Sequence, residues 1–133
     1  MSKIINYKYE VRVSDINYGG HMGNDRALAV FHDARINFLK HFGYSELNIG
    51  ENVGVILKEA DVKYFAEVFL HDELIVGVKI DKVEGIRWNL NYTATRVSDN
   101  KVVFSGNTLM ISFNYETKKV SPIPRAFLDK TMA

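Results

Sequence analysis

The sequence predicts an α+β domain in which an antiparallel sheet of about five strands wraps around one long helix. Three observations carry this. Apolar and polar residues alternate in several runs, one run instead repeats its apolar residues every three or four positions, and the later alternating runs are joined by connections too short for parallel crossovers. At 133 residues and 47% apolar content the chain is long enough to bury one core, so residues 1–133 are read as a single domain.

In "INYKYEVRV", Ile5, Tyr7, Tyr9, Val11 and Val13 alternate with Asn6, Lys8, Glu10 and Arg12, the pattern of a half-buried strand. After a polar, glycine-bearing loop, "RALAVFHDARINFLKHFGY" places Ala27, Phe31, Ala34, Phe38 and Phe42 at spacings of four, three, four and four, with Leu28, Val30 and Leu39 widening the stripe. This predicts an amphipathic helix. Asn24 is its expected N-cap, Asp25 suits its positive start, Lys40 and His41 suit its negative end, and Gly43 suits the position just past it. The remainder reads as strands: "VGVILKEADVKYFAEV", "ELIVGVKIDKV", "IRWNLNYTATRV" and "KVVFSGNTLMISFNYE". In the second, Leu74, Val76, Val78 and Ile80 alternate; in the third, Trp88, Leu90, Tyr92 and Ala94 do. In the fourth, the apolar set moves from Val102 and Phe104 to Leu109, Ile111 and Phe113, which predicts a bulge near Gly106. With "EGIR" and "SDNK" as hairpin connections, these four strands are expected to run as a meander.

Composition narrows the function. Seventeen Lys and Arg stand against 16 Asp and Glu, the net charge is +1, and there is no basic run, so the footprint of a nucleic-acid or anionic-membrane binder is missing. A small-molecule or protein partner fits better. Without cysteine there is no disulfide or thiolate chemistry, and His21, His32, His41 and His71 lack zinc-ligand spacing. No metal or other cofactor is expected. The beginning, "MSKIINYKYEV", has no apolar core of signal-peptide length, and no run reaches the roughly 18 to 20 apolar residues of a membrane span. A cytoplasmic protein is the expectation.

Three passages together resemble the hot-dog-fold acyl-CoA thioesterases of the 4-hydroxybenzoyl-CoA thioesterase family. "VRVSDINYGGHMGN" is similar to the family's Arg-containing first strand and its Asp-x-Asp-x-x-Gly-His-Val-x-Asn-like loop. "FHDAR" resembles its acidic-Ala-Arg helix segment, and "DVKYFAEVFLHDELIV" its passage between the second and third strands. The resemblance spans nearly the whole chain. It implies a hot-dog domain, paired with copies of itself as a homodimer or dimer of dimers, that hydrolyses a small-molecule acyl-CoA to free acid and CoA.

Such hydrolysis needs a group that activates water or attacks the carbonyl, and a donor for the oxyanion that forms. Backbone N–H groups near Asn24 and Asp25 lack intrahelical partners and sit at the positive helix end. The resemblance implies the N–H at Asn24 as that donor. Gly19 and Gly20 suit either close approach of substrate or a tight turn. The chain departs from the family at Asn17, where many members carry the catalytic Asp. An amide takes up no proton at neutral pH, although it can hold a water or the thioester carbonyl. The base is then sought among Asp15, His21, Asp25, His32 and Glu59. His21 is favoured, because it matches the family's His and histidine changes charge near neutrality.

Each of these residues has a plainer reading. Asp15 suits a turn that accepts backbone N–H bonds, and Asn24 can cap the helix and contact substrate at once. His32 stands where the family has Glu and reads as a helix histidine at the edge of the core, with the acyl pocket as the alternative. Glu59 and Asp61 share a strand face, normally solvent-facing; a bulge at Val55, Ile56 and Leu57 would turn Glu59 towards the loop. Arg87 matches a position that in the family is often polar or basic near the nucleotide, with Lys58 and Lys63 as alternatives for CoA phosphates. Phe31, Phe38, Phe65 and Trp88 are read as core, one or two of them lining an acyl site. The expected site is therefore Asn17, His21, Asn24 and Asp15 for catalysis, with Gly20, Asp25, Glu59 and Arg87 for substrate. Two other classes stay open: a non-catalytic acyl-CoA-binding module, favoured by Asn17, and a dehydratase or hydratase of 3-hydroxyacyl thioesters.

Overall fold

The computed structural model describes residues 2–132. In chain order it comprises β1 (Ile5–Glu10), a 3-10 turn (Val13–Asp15), α1 (Arg26–His41), β2 (Gly54–Tyr64), β3 (Glu73–Glu84), β4 (Arg87–Arg96), β5 (Lys101–Asn114), β6 (Lys119–Val120) and α2 (Arg125–Thr131). The sheet runs β1-β3-β4-β5-β2 with every pair antiparallel, and the two-residue β6 adds to the end of β5. A sheet curled about one long helix is the hot-dog arrangement that the resemblance implies.

The alternating residues of β3 and β4 form the core floor: Leu74, Val76, Val78 and Ile80 lie beside Trp88, Leu90, Tyr92 and Ala94, all buried. Ala27, Val30, Phe31, Ala34, Phe38 and Leu39 of α1 pack onto it. Phe31 stacks on Tyr92 with ring centroids 4.4 Å apart and planes 11° from parallel. Gly106 makes this fit possible. A Cβ there would stand 2.1 Å from the Asp61 carbonyl oxygen and 2.7 Å from the Phe31 ring, so only glycine lets β2 and the helix close on β5. The C-terminus of α1 is sealed as expected. Gly43 has φ +84° and donates to Lys40 O, and Tyr44 N–H donates to Leu39 O at 2.8 Å.

Several expectations are corrected. β1 ends at Glu10, and Val13 is exposed in the 3-10 turn, because the Asp15 carboxylate accepts the Arg12 N–H and bends the chain. The helix begins at Arg26, so Asp25 rather than Asn24 is its N-cap, and it caps without a side-chain hydrogen bond. Leu28 is exposed and does not widen the buried stripe. β5 has no bulge near Gly106: its row towards the helix is Phe104, Gly106, Thr108, Met110 and Ser112, while the register slips near Val103 opposite Ala94 and Thr95. Leu109, Ile111 and Phe113 lie on the other face.

The meander holds only for β3, β4 and β5. β2 pairs with β5 instead of β3, because β1 occupies the free edge of β3. Residues 65–72 therefore cross from β2 at one edge to β3, next to the other edge, past the start of α1. β2 does carry a bulge, at Lys58 between Leu57 and Glu59. It turns Glu59 away from the helix, the reverse of the expected rotation: the paired register puts Glu59 opposite Leu109 and Asp61 opposite Asn107, on the outer face. Its helix-side row is Val55, Leu57, Ala60, Val62 and Tyr64, of which only Val55 is buried.

Candidate active site

The loop before α1 is built around Asp15. Its carboxylate is buried and accepts from the Tyr9 hydroxyl at 2.5 Å, Arg12 N–H at 3.0 Å and Arg26 Nε–H at 3.1 Å, while its carbonyl accepts from Gly23 N–H. Burial pushes this carboxyl up, but the Tyr9 hydroxyl, the Arg12 N–H and Arg26 together hold it below the ordinary carboxylate range. Tyr9 is pushed well up by its own burial and by Asp15. Asp15 thus ties the end of β1, the loop and the helix start into one unit.

Beyond it the chain doubles back. Asn17 N–H donates to His21 O, Gly20 N–H donates to Asn17 O at 3.0 Å, and Gly20 takes φ +85° to close the turn. The Asn17 side chain is exposed, and its Oδ1 accepts Gly19 N–H at 2.9 Å. Asn17 Oδ1 and His21 Nε2 stand 3.1 and 3.5 Å from where a Gly19 Cβ would sit, so glycine there leaves both side chains room. Met22 N–H donates to Val68 O at 2.7 Å, and the Tyr64 hydroxyl donates to Asn24 O. These two bonds fasten the loop to the crossing segment, and between them lies a cleft of about 270 Å³ lined by His21, Gly23, Asn24, Tyr64, Glu67 and Phe104, among others.

The cleft holds the elements of acyl-transfer chemistry. His21 is half-buried, and its Nδ1 lies 3.2 Å from Met22 O. A carbonyl only accepts, so Nδ1 carries the hydrogen and Nε2 is left as the acceptor. The N–H groups of Asn24 and Asp25 have no acceptor among the described residues, and they stand at the positive end of α1. A carbonyl oxygen that gains negative charge finds donors here, and a proton finds an acceptor at His21.

Of the sequence-predicted residues, the structure brings His21 and Asn24 to the cleft, with Asn17, Gly20 and Asp25 exposed around it and Asp15 buried beneath. It does not bring Glu59 or Arg87 there. Glu59 lies on the outer face of β2, and Arg87, exposed at the start of β4, borders an apolar surface with Ile56, Phe113 and Val120. Phe31, Phe38 and Trp88 are core, whereas Phe65 is exposed. Glu67, Tyr64 and Phe104 are cleft residues outside the sequence-predicted site: Glu67 is on the crossing segment, which reads as the end of a strand, and Tyr64 and Phe104 are on β2 and β5. Among the described residues, no three His, Cys, Asp or Glu side chains gather as a metal site.

His32 belongs elsewhere. Its Nε2 meets Glu46 Oε1 at 2.9 Å, Arg35 Nε–H donates to Glu46 Oε2 at 2.8 Å, Arg35 Nη1–H donates to the Tyr92 hydroxyl at 3.1 Å, and that hydroxyl meets Thr108 Oγ1 at 2.8 Å. Burial raises Glu46, but Arg35 and His32 hold it below the ordinary carboxylate range. Of this network the sequence marks His32, as a helix histidine at the edge of the core, and Arg35 in "FHDAR"; Glu46 it does not mark.

Residues 11–131 match the sequence profile of the thioesterase-like superfamily. No curated protein matches the chain by sequence. Among solved structures, a 1,4-dihydroxy-2-naphthoyl-CoA thioesterase from Synechocystis is similar with TM-score 0.82 and 21% identity, over 92% of this chain and 91% of that one. A hypothetical protein from Staphylococcus aureus in complex with CoA is similar with TM-score 0.84 and 20% identity, over 98% and 82%. A DHNA-CoA thioesterase from Staphylococcus aureus gives TM-score 0.82 and 18% identity, over 96% and 85%. At these identities what the chains share is the fold.

Proposed function

This chain belongs to the thioesterase-like superfamily, and from that premise we propose that it hydrolyses a small-molecule acyl-CoA thioester to free acid and CoA. The observation that carries the reading is one cleft lined by both His21, whose Nε2 is an acceptor, and Asn24, whose N–H just before α1 has no acceptor among the described residues. The thioester carbonyl lies against the Asn24 N–H, which strengthens its bond as the carbonyl oxygen becomes negative. Water attacks with His21 as base. Asn17 orients water or carbonyl through its amide, in place of the carboxylate found in many relatives, and Asp15 holds the loop through its buried contacts. Neither metal nor redox cofactor takes part. Arg87 is retained as a contact for the CoA phosphates, outside the cleft, and the neighbour in complex with CoA supports CoA as the carrier.

We place the enzyme in the cytoplasm as a homodimer. No helix of the described residues is long and apolar enough to cross a membrane. β2 is an edge strand with one side unpaired, and its helix-side row leaves Leu57 43% and Tyr64 49% exposed, a surface that a second copy would cover. Sedimentation showing only the 15.2 kDa species at micromolar concentration would count against the dimer.

Asn17 favours one other reading, a module that binds acyl-CoA without cleaving it. Turnover of a panel of acyl-CoAs with detection of free thiol separates the two. Thiol release at catalytic rates is expected. Saturable binding of the same compounds without release would mean a binding module.

A further inference from the structure

Position 17 lacks the carboxylate, so the cleft needs another source of negative charge beside His21. Asp15 is buried with both oxygens engaged by Tyr9, Arg12 and Arg26. Asp25 caps α1 outside the cleft lining, and Glu59 points from the outer face of β2. Glu67 remains. It is the one carboxylate among the described residues that lines the cleft, and its Oε1 stands 4.0 Å from His21 Nε2.

The backbone of Glu67 is held, while its side chain is not. Arg96 Nη1–H donates to Glu67 O at 2.8 Å and to Asp72 at 3.1 Å, and Asp99 grips the same guanidinium. Next door, Val68 O accepts from Met22. The Glu67 side chain is 66% exposed and that of His21 34%, so both reach what enters the cleft. A separation of 4.0 Å is too long for a direct hydrogen bond, and it fits two acceptors that share one water.

We infer that Glu67 supplies the carboxylate that Asn17 cannot, holding the attacking water together with His21. The water donates one hydrogen to Glu67 Oε1 and the other to His21 Nε2, which leaves an oxygen lone pair for the acyl carbon. As the C–O bond forms, that proton passes to Nε2, and the carboxylate stabilises the imidazolium. Collapse of the tetrahedral adduct breaks the C–S bond; the electron pair leaves on sulfur, which takes the proton back from His21. The products are an acid and a thiol, with water consumed and no electron gained or lost. Asn17, beside the same Gly19 position as His21 Nε2, is where a carboxylate could act as substitute.

The inference rests on the thioesterase reading, and one experiment separates the two. Glu67→Gln, Asn17→Asp and the double variant are assayed on the acyl-CoA that wild type turns over fastest, with thermal melts as controls. Glu67→Gln is expected to lower kcat about a hundredfold with KM within about threefold and an unchanged melt, and Asn17→Asp in that background to recover about tenfold or more. A Glu67→Gln kcat within threefold of wild type, or a change confined to KM, would overturn the inference and leave the thioesterase reading standing. Loss with no recovery in the double variant would overturn the claim that Glu67 stands in for position 17. A wild type that releases no thiol from any acyl-CoA overturns both.

Discussion

Around α1 the chain sets two histidine–carboxylate pairs, His32 with Glu46 at 2.9 Å and His21 with Glu67 at 4.0 Å. In the first, Glu46 is also held by Arg35, which is itself buried and bonded to Tyr92. Every strong group there already has a partner, so passing a proton to a substrate would break bonds that hold α1 to the loop at Glu46 and, through Arg35, to Tyr92 of the sheet. In the second, the Glu67 carboxylate has no other partner among the described residues, and His21 spends only Nδ1 on the Met22 carbonyl. The same two residue types serve the fold where their bonds are saturated and are open to chemistry where they are not.

The largest effect expected from this contrast is on stability. Arg35→Met removes the cation from the saturated network and leaves Glu46 half-buried without it. Urea unfolding should show a loss of about 3 kcal/mol, with kcat of the folded protein within threefold of wild type. A larger drop in kcat would mean that the network and the cleft are not separate.

Much of the scaffold behind this contrast is legible in sequence. The alternation of β3 and β4 and the stripe of Ala27, Phe31, Ala34 and Phe38 face a common core, so local pattern and burial agree. β2 misleads because its helix-side row lies at an edge and is only partly covered, and because the bulge at Lys58 reverses the side on which Glu59 falls. The cap moves by one residue because Asp15 and Gly23, which no helix periodicity describes, fix where the helix starts. The site divides in the same way. His21 and Asn24 are found from the loop motif, but Glu67 lies 46 positions beyond His21 on a segment whose crossing follows from β1 taking the edge of β3. Glu46 is likewise 11 positions from Arg35 and 14 from His32, with no periodic signal joining them.

Acid should weaken the saturated contacts next. Asp15 and Glu46 both have folded pKa values below the ordinary carboxylate range, so the unfolded chain binds protons first as pH falls. Their contribution is complete above that range, about pH 5 and up, and is lost as pH drops through it towards the folded values. Urea midpoints taken stepwise from neutral pH to pH 3 should fall over that interval. In Glu46→Gln the fall should be shallower, and an unchanged slope would remove Glu46 from this account.

The smallest effect is assigned to His32. Its side chain is 52% exposed, and Arg35 still holds Glu46 when the imidazole is gone. His32→Gln should cost about 0.5 to 1 kcal/mol of stability and leave kcat within twofold. A tenfold loss of kcat at unchanged stability would move the chemistry to the tight pair.

The most direct test of the cleft is the rate of thiol release from one acyl-CoA by His21→Ala, measured with enough substrate to saturate and with a melt confirming the fold. Loss of the base should lower kcat about a hundredfold or more while the melting temperature stays within a few degrees of wild type. A His21→Ala enzyme that keeps its fold and turns over within threefold of wild type would contradict the account.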